Sequence, residues 1–211
     1  MSLYPLMLDV ARCRILVVGG GAVAERKVRG LVDAGASPVV VAPEVTDEIR
    51  ASGDAGRIDL HLRRYQAGDA LGRHLVFAAT DDADVNAAVA AEASADGALV
   101  SMADDGEGSM FHLPASIRQG DVVVALSTGG AAPLLARRLK ERIESVVTPG
   151  LGRAARRLAE LRTDVQARWP DDEDRRRALW FSLITPDFLD VAIAGRDEEV
   201  ESRISRCLSQ S

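Results

Sequence analysis

Histidine and cysteine are scarce in this chain, with three and two respectively in 211 residues. Cys13 and Cys207 stand near opposite ends, so they form neither a disulfide framework nor a spaced metal cluster, and both read as reduced thiols. His61 and His74 are isolated, and no combination with His112 has the spacing of a structural zinc site, so no tightly bound metal is expected. No stretch approaches the ~18 to 20 consecutive apolar residues of a bilayer span, and the amino terminus lacks the basic start and apolar run of a secretory signal. A soluble, cytoplasmic protein without membrane contact is the expectation. Positive charge is not in excess either: 26 Lys and Arg against 32 Asp and Glu leave a net charge of −6, which argues against a dedicated nucleic-acid surface. What the chain does have is apolar material, 47% of its residues, sufficient for one domain core or two small ones.

Ile15-Leu16-Val17-Val18 is a short β-rich run ending in Gly19-Gly20-Gly21, and helical periodicity follows over 22–34. Two further runs are fully apolar: Val39-Val40-Val41, closed by Ala42-Pro43, and Leu75-Val76-Phe77-Ala78-Ala79, closed by Thr80-Asp81-Asp82. A segment over 85–95 suits a helix, and Leu99-Val100 starts another strand. Strands that are apolar throughout and alternate with helices predict an α/β fold with a parallel sheet covered on both faces. Composition shifts past Pro114. Residues 121–126 predict a strand, Ser127-Thr128-Gly129-Gly130 a turn, and Pro133 opens a helix reaching about Val147. From Thr148-Pro149-Gly150 onward only helices are expected. Residues 134–179 hold twelve basic and eight acidic side chains, so charge is segregated along the chain.

Gly19-Gly20-Gly21-Ala22-Val23-Ala24 matches G-x-G-x-x-G/A directly after a strand and at the start of a helix, the context that the dinucleotide fingerprint requires. Gly19 permits the sharp turn, Gly21 lets backbone approach a pyrophosphate without a Cβ clash, and Ala24 allows close helix-to-strand packing. A purely structural strand-to-helix turn is the alternative. Glu44 follows the second strand, where an acidic residue meets the adenosine ribose hydroxyls and disfavours the extra phosphate of NADP, so NAD is the expected cofactor. A solvent-facing Glu at a strand end is the other reading. Thr80-Asp81-Asp82 ends its run at the same carboxyl edge, where it lines the nicotinamide side or caps the next helix. Asp104 and Asp105 begin an acidic loop, either a solvated turn or a carboxylate placed to accept a proton or touch a metal. Ser127-Thr128-Gly129-Gly130 offers hydroxyls and amides to an anion or serves as a plain connection; it lacks the Lys of a phosphate-binding Walker loop, which disfavours ATP hydrolysis. Arg137, Arg138, Lys140 and Arg142 are a solvated helix face or a grip for a polycarboxylate.

In order along the chain, Val17 to Lys27, Ala78-Ala79-Thr80-Asp81-Asp82 with Asn86, Asp104, Phe111-His112-Leu113-Pro114, and Ala125 to Gly130 with Pro133 and Leu135-Ala136-Arg137 resemble the precorrin-2 dehydrogenase / sirohydrochlorin ferrochelatase family, the amino-terminal module of siroheme synthases. The resemblance runs over about 4–151. It implies an NAD-binding Rossmann domain over 1–113, a dimerisation segment over 114–147 that exchanges across a homodimer, and a helical domain over 148–211 that closes on a tetrapyrrole. The implied reaction is NAD-dependent oxidation of precorrin-2 to sirohydrochlorin, with insertion of ferrous iron in bifunctional members. Asp104 falls on the family's key acidic position and is the implied base. Gly19, Gly21, Ala22, Val23, Pro43, Glu44, Thr80 and Asp81 make up the expected cofactor set, and Ser127, Thr128, Gly129 and Arg137 the substrate set. Ser101-Met102-Ala103 and Gly106 depart from the family's usual Asn-Val-Val and Pro around the acidic position. No methyltransferase segment is present in these residues, so methylation is expected elsewhere. The competing readings are another NAD-dependent oxidoreductase on the same fold and a non-catalytic NAD-sensing regulator.

Overall fold

Strands buried on both faces need helices on both sides, and the first half of the chain supplies them in alternation. The computed structural model describes residues 3–103 and 108–210, and the chain forms two compact units, Tyr4–Leu113 and a second beginning at Pro114. After a 3-10 turn at Val10–Arg12, the first unit runs β1 (Ile15–Val18), α1 (Ala22–Asp33), β2 (Val39–Val41), α2 (Asp47–Asp54), β3 (Asp59–His61), β4 (Leu75–Ala78), α3 (Ala83–Ala95) and β5 (Leu99–Met102). The strands are all parallel in the order β3-β2-β1-β4-β5, with Val17 opposite Val40 on one side and Phe77 on the other. Every residue of β1 and β4 is buried. Alternation along β1 sends Ile15 and Val17 to a core shared with Val28 and Leu31 of α1 and Ile49 of α2. Leu16 and Val18 face the opposite core, with Val89 and Ala93 of α3.

This topology creates a reversal. The chain moves from β1 outward to β2 and β3, then returns to lay β4 on the other side of β1. Loops leaving β1 and β4 therefore diverge, opening a crevice at the carboxyl ends of the strands, the place where open α/β sheets take ligands. β3 has no apolar run behind it: its three residues, Asp59, Leu60 and His61, sit at the sheet edge, where short polar strands are tolerated.

The connection from β3 to β4 is clamped onto α3 by one carboxylate. Glu92 accepts hydrogen bonds from the Tyr65 hydroxyl at 2.5 Å, the Gly68 N–H at 2.6 Å and the Ala70 N–H at 3.0 Å. The Tyr65 bond, joined by the two backbone donors, holds the Glu92 carboxyl below its ordinary range. Burial, with the Glu92 bond second, pushes the Tyr65 phenol up.

The second unit pairs β6 (Ala115–Gln119) and β7 (Val122–Leu126) as an antiparallel hairpin, followed by α4 (Pro133–Glu144), α5 (Pro149–Arg168), α6 (Glu173–Leu183), α7 (Pro186–Ile193) and α8 (Asp197–Gln210). Leu161, Val165, Leu179, Leu183, Phe188, Val191 and Ile204 form a core drawn from α5, α6, α7 and α8. α4 contributes no buried residue, and Leu134 and Leu135 stand exposed. It ends at Glu144, short of the expected Val147, because the Val146 N–H tightens the last turn onto the Ile143 carbonyl and Thr148, extended ahead of Pro149, caps α5 by accepting from the Leu151 N–H. Among the described residues, no helix is long and apolar enough to cross a membrane.

Candidate functional site

The crevice begins with the three glycines after β1. Gly19 adopts φ +126° and donates its N–H to the Val41 carbonyl at 3.0 Å. A Cβ on it would lie 2.1 Å from the Ala79 carbonyl oxygen, so only glycine brings the end of β1 this close to the end of β4. Gly20 is constrained from the other side: its Cβ would lie 1.9 Å from the Glu44 carbonyl oxygen, while its own carbonyl accepts from the Thr46 N–H at 3.0 Å. The fingerprint leaves that second position open, and sequence reasoning assigned it no role. The available signal was the third glycine in a motif that needs two.

Gly21 differs from both. It has an ordinary φ of −80°, and nothing stands within 4 Å of the place a Cβ would occupy. It is the N-cap of α1 and has no side chain to cap it, so the first turn lacks a side-chain acceptor at a position that is itself open. Ala22 and Val23 are exposed beside it, while Ala24 is fully buried against the sheet. An uncapped helix terminus with room for an anion fits a pyrophosphate. The expected cofactor residues Gly19, Gly21, Ala22 and Val23 are thus brought together in one turn. Pro43 and Glu44, exposed at the end of β2, join them through the Gly20 contact.

Thr80 leaves β4 on the far side of the crevice. Its N–H donates to Asn86 Oδ1 at 3.1 Å, its hydroxyl lies 2.8 Å from the same oxygen, and its carbonyl accepts from Asn86 Nδ2 at 2.9 Å. Of the two neighbouring carboxylates, Asp82 is the helix cap, accepting from the N–H groups of Asp84 and Val85 at 3.0 and 3.1 Å. Asp81 is exposed at the crevice edge.

Asp104 lies outside the described residues, as does Asp105. The flanks are held at the carboxyl edge of the sheet: Ala103 N–H donates to the Ala78 carbonyl at 2.9 Å, Met110 N–H to the Val100 carbonyl at 2.8 Å, and Met102 N–H to Ser109 Oγ at 2.9 Å. Beyond them Phe111 stacks edge-on against Phe77 at 5.3 Å between ring centroids.

Ser127, Thr128, Gly129 and Arg137 belong to the second unit. Ser127 Oγ accepts from the Gly129 N–H at 3.1 Å, and Thr128 Oγ1 from the Ala132 N–H at 3.3 Å, so both hydroxyls shape the turn ahead of α4. Arg137 is exposed and pairs with Glu141 at 3.4 Å, leaving its guanidinium in solvent.

Comparison with known proteins agrees with this geometry. A family model described as NAD(P)-binding matches residues 6–115, and one described as sirohaem biosynthesis protein central matches residues 119–145. The chain is 41% identical over 209 residues to a siroheme synthase of Chromobacterium violaceum, covering 97% of this chain and 44% of that protein. It is 45% identical over 192 residues to one from Gluconacetobacter diazotrophicus, covering 89% and 39%. The chain therefore spans less than half the length of these relatives. Among solved structures it is similar to "SirC, precorrin-2 dehydrogenase", with a TM-score of 0.76 and 29% identity over 95% of this chain and 100% of that one. With more than half of its residues matched by the first model, the glycine turn after β1 among them, the chain belongs to the NAD(P)-binding family.

Proposed function

We propose that the chain oxidises precorrin-2 to sirohydrochlorin with NAD. The observation that carries this reading is the uncapped start of α1, with open space at Gly21 where the strand order reverses, in a chain that aligns with the whole of a precorrin-2 dehydrogenase structure. The substrate loses a hydride and a proton as conjugation extends through the macrocycle, and NAD, when bound, supplies the acceptor for the hydride. The chain's own residues do the rest. The amides of Ala22 and Val23 hold the pyrophosphate, and Glu44 receives the adenosine ribose hydroxyls and repels a phosphate in their place. Thr80 and Asp81 border the nicotinamide side. Asp104 takes the proton, and holding both reactants in one cleft supplies much of the rate through orientation. Ser127, Thr128 and Gly129 meet the macrocycle, and Arg137, with its guanidinium in solvent, grips a peripheral carboxylate.

Assembly belongs to the same proposal, with a Rossmann domain over 1–113, a dimerisation segment over 114–147 and a covering helical domain over 148–211. α4 buries nothing of its own and leaves Leu134 and Leu135 exposed, and a second copy is the partner proposed to cover them. Sedimentation at micromolar concentration should give a dimer; a monomer overturns the assembly. The activity is tested by absorbance. Precorrin-2 with NAD should yield the sirohydrochlorin spectrum and stoichiometric NADH, whereas a non-catalytic sensor yields neither. The same assay with ferrous ion reads out metal insertion, in which iron is a substrate, and the cytoplasm is the proposed compartment.

A further inference from the structure

Asn86 is 6% exposed on α3 and carries one of the few buried polar side chains among the described residues. Its amide is spent entirely on one residue. Thr80 N–H can only donate and Thr80 C=O can only accept, so the carboxamide is oriented without ambiguity, Oδ1 toward the first at 3.1 Å and Nδ2 toward the second at 2.9 Å. The Thr80 hydroxyl, 2.8 Å from Asn86 Oδ1 and 3.0 Å from the Asp82 carbonyl, also accepts from the Asp82 N–H at 3.2 Å. A helix cap does not need this apparatus, because Asp82 already supplies one. Nor does burial account for it, since an apolar residue would fill the position without a polar group to satisfy.

The location suggests the purpose. Thr80 is the second residue beyond β4, directly after Ala79, whose carbonyl is the group Gly19 approaches. The adenosine half of a dinucleotide lies over the β2 side of the reversal, marked by Glu44, so the other half extends over the β4 side. A carbonyl has two lone pairs, and Asn86 Nδ2 takes one of those on Thr80. The nicotinamide carboxamide is a donor that needs an acceptor held still.

We infer that Asn86 is a positioning residue for the nicotinamide half of the cofactor, acting through Thr80, whose peptide and carbonyl it holds in place for the carboxamide. The inference rests on the proposed NAD chemistry, yet its test needs no tetrapyrrole. NAD and ADP-ribose are titrated by calorimetry into the wild-type chain, Asn86→Ala and Asn86→Asp. ADP-ribose keeps the adenosine and pyrophosphate and lacks the nicotinamide. Asn86→Asp keeps the acceptor for the Thr80 N–H and hydroxyl and sets a carboxylate oxygen against the Thr80 carbonyl in place of the donor, so the carbonyl is no longer held. The expected result is NAD binding about tenfold weaker in Asn86→Asp, which no longer holds the Thr80 carbonyl, and at least as weak in Asn86→Ala, which releases the Thr80 N–H as well, with ADP-ribose affinity unchanged in both. Unchanged ADP-ribose affinity also certifies that the variant is folded at the site. Parallel loss of both ligands would make Asn86 a general structural residue and overturn the inference, as would NAD affinity equal to wild type. If either variant fails to fold, the other decides by the same comparison; should both fail to fold, Asn86 is structural and the inference falls. Failure of the wild-type chain to oxidise precorrin-2, with the NAD and ADP-ribose pattern intact, would refute the proposed substrate and leave the positioning role standing.

Discussion

Replacing Gly21 by Asp separates anion binding from folding. The position has an ordinary φ of −80° and no neighbour within 4 Å of a new Cβ, so the side chain enters without strain. At an N-cap in extended conformation, Asp accepts from the first-turn amides and improves on Gly by a few tenths of a kcal/mol, roughly. Stability in urea should therefore be unchanged or slightly raised. NAD binding should collapse, for two reasons that can be given magnitudes. A carboxylate about 4 Å from each of two phosphate charges costs about 1 kcal/mol per pair even at the dielectric of water, and about 4 at an effective value of 20. The amides that would have bonded the pyrophosphate are now taken by the new side chain, a loss of roughly 1.5 to 3 kcal/mol. Taking the lower Coulomb figure at this exposed helix end, the sum is about 4 kcal/mol, a drop of roughly a thousandfold in affinity. Raising the salt to about 1 M, where the screening length falls to about 3 Å, should recover the Coulomb part and leave the amide part. Calorimetric titration of the folded variant reads both. An affinity within about threefold of wild type would show that the pyrophosphate does not sit on this turn. Gly19→Ala provides the contrast: its Cβ would fall 2.1 Å from the Ala79 oxygen at φ +126°, so the urea midpoint should drop by an amount equivalent to about 1 to 3 kcal/mol or more.

Glu44 should make the wild-type chain bind NAD more tightly than NADP, and Glu44→Gln should narrow the gap; equal wild-type affinities would remove its discriminating role. Asp104→Ala should lose about two to four orders of magnitude in precorrin-2 oxidation with NAD affinity intact, while Asp105→Ala loses much less. Equal and small losses would place the base elsewhere, with His112 the next candidate. Glu92→Gln should destabilise the chain at neutral pH, where the depressed carboxyl of Glu92 is ionised and holds the β3–β4 connection. That contribution is present in full above the unfolded carboxyl value of about 4.3 and disappears as pH falls through the lower folded value, so the two urea midpoints should converge in acid. A constant gap across pH would refute the clamp.

The central strands were legible because burial on both faces leaves an unbroken apolar run, as in Ile15–Val18 and Leu75–Ala78. β3 was not, since Asp59-Leu60-His61 earns its place by pairing with β2 at the edge and has no pattern of its own. β6 escaped for a similar reason: Ala115-Ser116-Ile117-Arg118-Gln119 buries only Ile117 and gains strand character from β7. The turn after β1 was readable at Gly19 and Ala24, where a positive φ and close packing against the sheet dictate residue type, whereas Gly21 meets no such backbone need. Gly20 and Asn86 were not assigned a task, because their reasons lie in Glu44 and Thr80, contacts that spacing alone does not report.

Gly20 presses on the main chain of residue 44 and leaves the side chain of Glu44 in solvent. The nucleotide preference proposed for Glu44 would then be carried by a group with no packing duty, mounted on a backbone braced from behind. A redesign of this chain toward the phosphorylated cofactor has a correspondingly cheap route: exchange the side chain at 44 for a cation or a hydroxyl and keep the brace. A library that follows the fingerprint and randomises residue 20 would do the reverse, displacing the backbone of residue 44 in nearly every member before any new specificity is tried.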